Sequence, residues 1–156
     1  MSVAYLNIGS NQGDRHAFIE RAVALIELLS DSPVMRSDYV LTAPWGFESP
    51  NQFLNLGVAI EWQGTPLQLL DRLQAVECAI SPLPHRDGSG NYIDRAIDID
   101  IIAIGQTIVE SERLTIPHPK MHLREFVLKP MIQLAPEWIH PKLKLTAKEL
   151  LKHITC

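Results

Sequence analysis

Two rhythms of apolar and polar positions alternate along this chain. Val3–Gly9 is a short, mostly apolar run that ends in a Gly-Ser-Asn-Gln-Gly turn, which predicts a buried strand. Phe18, Ala22, Leu25, Ile26 and Leu29 then recur at helical spacing, so about Arg15–Leu29 reads as an amphipathic helix. Pro33 punctuates it, and Val34–Leu41 reads as a second strand. Phe53–Trp62 reads as a third. Thr65 stands where a helix cap is expected, with Pro66 at the first helical position, where a missing N–H costs nothing. That helix extends to about Ile80. Ala96–Gly105 is a fourth strand, with a hairpin partner expected near Thr107–Glu110. Phe126–Leu134 and Ala147–His153 have the pattern of short helices.

The segments between these elements are distinctive. Thr42–Asn51 carries two prolines, a glycine and the aromatics Trp45 and Phe47. Ser81–Asp94 carries two prolines, two glycines and mixed charge; at fourteen residues it is long enough to be a functional loop. Pro117 and Pro119 mark a third. The order strand, helix, strand, strand, helix, strand, helical tail is the split βαβ pattern. It predicts an α+β, ferredoxin-like sandwich, an antiparallel sheet with helices on one face. No repeat or low-complexity segment appears, so residues 1–156 are expected to form a single domain.

Composition narrows the function classes. With 46% apolar and 21% charged residues the chain can bury an ordinary core without disulfides. Its two cysteines, Cys78 and Cys156, suit a reducing compartment, and no secretory leader is visible, so a cytoplasmic protein is expected. No apolar run approaches a membrane span. The net charge of −4 argues against a broad nucleic-acid surface, though not against a local basic pocket for phosphates.

The chemistry concentrates in Asp98-Ile99-Asp100. Residues i and i+2 of a strand share a face, so both carboxylates point one way while Ile97, Ile99 and Ile101 point to the core. Two like charges on one face call for a cation. An oxygen-only pair suits Mg²⁺, which completes its shell with water and phosphate. The plainer alternative is a solvated face of an edge strand. Glu77 shares the apolar stripe of its helix with Leu70, Leu73 and Ile80, where a carboxylate needs a partner. Arg95, Arg113, Arg124 and His118 lie near the pair or near proline-rich turns, and arginine forks match phosphate oxygens. There is no P-loop and no Rossmann fingerprint, so a nucleotide site has to be built from side chains and a metal.

Six stretches carry a family resemblance. They are Tyr5-Leu6-Asn7-Ile8-Gly9-Ser10-Asn11, Thr42-Ala43-Pro44-Trp45-Gly46, Phe53-Leu54-Asn55, Arg95-Ala96-Ile97-Asp98-Ile99-Asp100, Leu114-Thr115-Ile116-Pro117-His118 and Arg124-Glu125-Phe126. From about Val3 to Leu150 the chain resembles the 6-hydroxymethyl-7,8-dihydropterin pyrophosphokinases of folate biosynthesis. The resemblance implies a ferredoxin-like fold and transfer of pyrophosphate from ATP to the pterin hydroxymethyl group, releasing AMP. It implies that Asp98 and Asp100 hold two Mg²⁺ ions. It places Gln74, Glu77, Arg95, Ile101, Arg113, Thr115, His118 and Arg124 at ATP-binding positions. Phe53 and Phe126 would sandwich the pterin, with Asn55 at its amide-like edge and Thr42, Pro44 and Trp45 contacting it mainly through the backbone. The partners it implies are ATP and the pterin, on a monomer.

One departure stands out. After the second helix the family usually carries Gly-Arg-x-Arg, whereas this chain reads Ser81-Pro82-Leu83-Pro84-His85-Arg86. Arg86 is the arginine left there to act beside Arg95 in catalysis. The shortened motif motivates an alternative, a non-catalytic relative that binds ATP or pterin.

Overall fold

The computed structural model describes residues 2–42, 52–81 and 96–155. Its strands and helices are β1 (Ser2–Ser10), α1 (Arg15–Glu27), β2 (Met35–Thr42), β3 (Phe53–Trp62), α2 (Pro66–Ile80), β4 (Asp98–Ile104), β5 (Val109–Glu110), β6 (Thr115–Ile116), α3 (Glu125–Leu134) and α4 (Ala147–Thr155). The first four long strands form one antiparallel sheet in the order β2-β3-β1-β4. This is the α+β architecture expected from the apolar pattern.

Local chemistry explains the element ends. Asp14 caps α1 by accepting the Ala17 N–H. At α2, Thr65 accepts the Gln68 N–H while the Gln68 side chain accepts the Thr65 N–H, a full capping box ahead of Pro66. At the outer edge, Arg36 and Tyr39 of β2 both donate to the Glu20 carboxylate on α1. The Arg36 bond, then the Tyr39 bond, holds that carboxyl down at about 2.

Two expectations are corrected. Helices cover both faces of the sheet, not one. On the first face Leu6, Ile8, Leu56, Val58, Ile99 and Ile101 pack under α1 and α2. On the second, Ile102 and Ala103 pack with Val127, Leu128 and Met131 of α3, Leu150 of α4 and Trp138. This is why β1 is buried almost without alternation: a central strand covered on both sides has no wet face. The second correction concerns the segment at 107–110. It pairs not with β4 but with β6, through Val109↔Ile116 and Glu110↔Thr115. The outer edge of β4 is instead covered by the next segment, where the His118 N–H donates to the Ile102 carbonyl at 2.8 Å.

Gly57 is where α3 sits on the sheet. A Cβ at this position would lie 2.5 Å from Pro130 Cβ and 3.2 Å from a Leu134 methyl. Gly57→Ala is therefore expected to overpack this contact and cost about 1–3 kcal/mol, read from urea unfolding. An unchanged midpoint would mean that α3 does not press on β3 here.

Candidate active site

Covering the second face only in part leaves one end of it to polar residues. The register of β3, β1 and β4 sets them in rows. In one row Asn55, Gly9 and Asp98 lie side by side on β3, β1 and β4; in the next, Gly57, Asn7 and Asp100 do. Strands are about 4.8 Å apart, so Asn55 and Asp98 are separated by about 10 Å across Gly9. One row further out stands Phe53, at the start of β3.

Gly9 is where Asn55 and Phe53 close in on β1. A Cβ there would lie 3.0 Å from Asn55 Oδ1 and 3.4 Å from Phe53 Cδ1. Asn55 is 3% exposed, and its Nδ2 is turned to the Val40 carbonyl at 3.3 Å, which leaves Oδ1 facing the space above Gly9. In the next row along β1 the Phe126 carbonyl accepts a bond from Asn7 Nδ2 at 2.9 Å. Phe53 thus lies against Gly9, and the backbone of Phe126 is tied to Asn7 two residues along the same strand. Arg124 stands 5.6 Å from the Phe126 ring centre, close enough for a cation–π contact.

The carboxylate pair is partly exposed on the same face, with Ile97, Ile99 and Ile101 buried behind it. Among the described residues no third His, Cys, Asp or Glu joins it to make a cluster that could hold a metal on its own. Two hard oxygen donors with the rest of the shell left to water and phosphate is a set that fits Mg²⁺. Glu77, 8% exposed, has its partner in the strand itself. Its Oε2 accepts the Ile99 N–H at 2.7 Å, between the two aspartates. Ile101 has its side chain in the core, so only its backbone is left for a ligand.

Cationic groups line the neighbouring edge. Arg113, in the turn between β5 and β6, reaches Asp71 at 2.5 Å and Gln74 at 3.4 Å on α2. Thr115 begins β6. His118 is pushed down to about 4, first by burial and then by Arg124; Asp98 opposes the shift and Lys120 adds to it. Its Nδ1 accepts the Lys120 N–H at 3.1 Å, so the neutral ring carries its proton on Nε2, as a donor. The unfolded chain binds a proton at His118 below about 6.5 that the folded chain refuses until about 4. Stability without divalent cations should therefore fall as pH drops through that window, by an amount on the order of 3 kcal/mol. Unfolding in urea at pH 7.5 and 4.5 tests it: His118→Gln should flatten the difference, and an equal loss in both proteins would reject it.

Thr42 pairs with Phe53 at the end of β2. Pro44, Trp45, Arg86 and Arg95, like most of the long loop expected at Ser81–Asp94, lie outside the described residues. Gly9 and Asn7 are the residues of this sheet end that sequence reasoning gave no role. A glycine offers no side-chain signal, and a lone Asn in a buried strand reads as a solved packing problem.

A sequence profile of the 7,8-dihydro-6-hydroxymethylpterin-pyrophosphokinase (HPPK) family matches residues 5–136. A Porphyromonas gingivalis 2-amino-4-hydroxy-6-hydroxymethyldihydropteridine pyrophosphokinase is 39% identical over 143 residues, covering 91% of this chain and 96% of that protein. The Bacillus subtilis protein of the same name is 34% identical over 137 residues, 87% of this chain and 80% of its own. Among solved structures, an HPPK-DHPS in complex with substrates superposes with a TM-score of 0.72 at 14% identity, over 97% of this chain. Wild-type Plasmodium falciparum HPPK-DHPS with SDX-DHP also reaches 0.72, at 15% identity over 99%. The chain spans 43% and 44% of those two longer chains, and at such identities they speak for the fold alone. The matched profile and these relatives establish that the chain belongs to the 7,8-dihydro-6-hydroxymethylpterin-pyrophosphokinase family, ATP-dependent enzymes of folate biosynthesis that transfer a pyrophosphoryl group from ATP to a hydroxymethylated dihydropterin.

Proposed function

We propose that the second sheet face is where this pyrophosphokinase brings its two substrates together. The observation that carries the reading is the row Asn55–Gly9–Asp98. A flat heterocycle lying over Gly9 would have its hydroxymethyl arm within reach of phosphates held at the carboxylates. Phe53 and Phe126 stack on the pterin ring. Asn55 Oδ1 accepts from the amide-like edge of a ring held in the slot between them, and Thr42, Pro44 and Trp45 would contact it mainly through their backbones.

Asp98 and Asp100 would hold two Mg²⁺ ions, which would supply neutralising charge for the ATP phosphates. The chain's own groups do the rest. Arg113, Arg124 and Arg95 fix the phosphate oxygens, neutral His118 donates from Nε2, and Gln74, Glu77, Ile101 and Thr115 shape the nucleotide side. Arg86 and Arg95 supply positive charge to the transferring group. The pterin hydroxyl oxygen forms a bond to the β-phosphorus as the bond to the α-phosphate oxygen breaks, AMP leaves, and the hydroxyl proton passes to solvent. Holding both reactants in one row supplies much of the acceleration, because such transfer is mainly positioning and charge neutralisation.

The working enzyme is a monomer in the cytoplasm. Among the described residues no helix is long and apolar enough to cross a membrane. The deciding experiment is a coupled AMP-release assay with ATP, Mg²⁺ and 6-hydroxymethyl-7,8-dihydropterin. Turnover that requires all three is expected; ligand binding without AMP release would favour the non-catalytic relative. Gly9→Ala is a finer test. The added methyl has to push on Asn55 Oδ1 and Phe53, so dihydropterin affinity should fall by about tenfold, while an ATP analogue binds as before. Equal affinity by calorimetry would mean that the slot does not lie over Gly9.

A further inference from the structure

Helix α3 contains a proline at its sixth residue, Pro130. Proline has no N–H to give, so the carbonyl four residues earlier, that of Phe126, loses its helical partner. A carbonyl so freed beneath a helix needs a donor from elsewhere. It has one: Asn7 of β1, 5% exposed, donates from Nδ2 to the Phe126 carbonyl at 2.9 Å. The bond spans 119 residues of sequence. It joins the first turn of α3 to the row that holds Asp100, because Asn7 and Asp100 are register partners. The same proline is the group that presses on Gly57 in that row.

We propose that Asn7 is a positioning residue for pterin binding: it uses the carbonyl freed by Pro130 to set the height and aim of Phe126 over the slot. The proposal rests on the reading of Phe126 as one wall of that slot. Asn7 itself need not touch substrate. Without it the first turn of α3 keeps its apolar anchorage through Val127, Leu128 and Met131 but loses its side-chain tie to β1. The ring is then free to shift by the small distances that degrade stacking.

The pairing of a lost helical bond with a side-chain substitute supplies its own test. Asn7→Ala should weaken dihydropterin binding by about tenfold, the loss expected for one buried hydrogen bond, with an ATP analogue unaffected to within about twofold. Pro130→Ala keeps the Cβ that packs on Gly57 and restores a helical N–H to the Phe126 carbonyl. The double variant Asn7→Ala/Pro130→Ala should therefore recover dihydropterin affinity to within about threefold of the parent. Calorimetric titration of the four proteins reads this cycle. A single variant that binds dihydropterin normally overturns the proposal, and so does a double variant as weak as the single. If Asn7→Ala does not fold, the double variant must refold; failure to do so also overturns it. Phe126→Ala, run alongside, separates the two readings. If its affinity is normal, the wall assignment fails; if it is weak while Asn7→Ala is normal, only the positioning role fails.

Discussion

Asp98→Asn and Asp100→Asn are each expected to lower AMP release by about 10³-fold or more while leaving the protein folded. The two side chains stand on one sheet face two residues apart, so their Cα atoms are about 6.7 Å apart. Neither is needed for the core, which is built from Ile97, Ile99 and Ile101 behind them. Removing one of two like charges relieves repulsion, so the melting temperature without Mg²⁺ should hold or rise. With Mg²⁺ and an ATP analogue present, the parent should gain stability that the variants do not, because only a protein able to hold the complex is stabilised by it. Asn keeps the shape and one oxygen of Asp, so the comparison isolates charge. Near-normal AMP release from either variant would remove that carboxylate from the phosphate-holding machinery. A collapsed melting temperature would mean it had a structural role instead.

How much of this was legible in the chain follows from what each residue shows to a one-dimensional reading. Phe53–Trp62 and Pro66–Ile80 were read to the residue, because alternation, a capping threonine and an N1 proline all point the same way. The carboxylate pair was legible for a similar reason: period two puts both charges on one face whatever else the fold does. The helices on the second face were not placed, although α3 and α4 were themselves expected. That face carries Asn7, Gly9, Asn55, Asp98 and Asp100, and a row of polar and small residues reads as a wet surface rather than one half covered. The 107–110 segment went to the wrong partner because four residues separate β5 from β4 and four from β6, so spacing does not choose between them; what closes the turn to β6 is Ser111, whose N–H and Oγ both donate to the Leu114 carbonyl. Glu77 was flagged as a carboxylate in need of a partner, and one partner it finds is a backbone N–H, which no side-chain pattern announces. Gly9 is the extreme case. Its contribution is the room it leaves for Asn55 and Phe53, and that becomes visible only once they are placed around it.

Truncating the walls of that space is the second large effect expected. Phe126→Ala should weaken dihydropterin binding by about 10- to 100-fold and leave an ATP analogue's affinity nearly unchanged. The loss combines ring stacking with the apolar area that the ligand no longer buries, on the order of 1–3 kcal/mol together. Phe126 packs only at the margin of the second core cluster, so its truncation should cost little stability. Phe53 is different. It is 9% exposed without ligand, so Phe53→Ala also opens a cavity, and a change in affinity there mixes recognition with relaxation of β3. Phe53→Leu is the cleaner probe, since it fills most of the volume but cannot stack. If stacking matters, Phe53→Leu should lose dihydropterin affinity at nearly constant melting temperature. Calorimetry with each ligand alone, beside thermal unfolding, separates these contributions. Should the Phe126 and Phe53 variants weaken ATP-analogue binding as much as pterin binding, the two rings would be props of the sheet end rather than walls of a slot, and the row Asn55–Gly9–Asp98 would no longer mark where the hydroxymethyl group meets the phosphate.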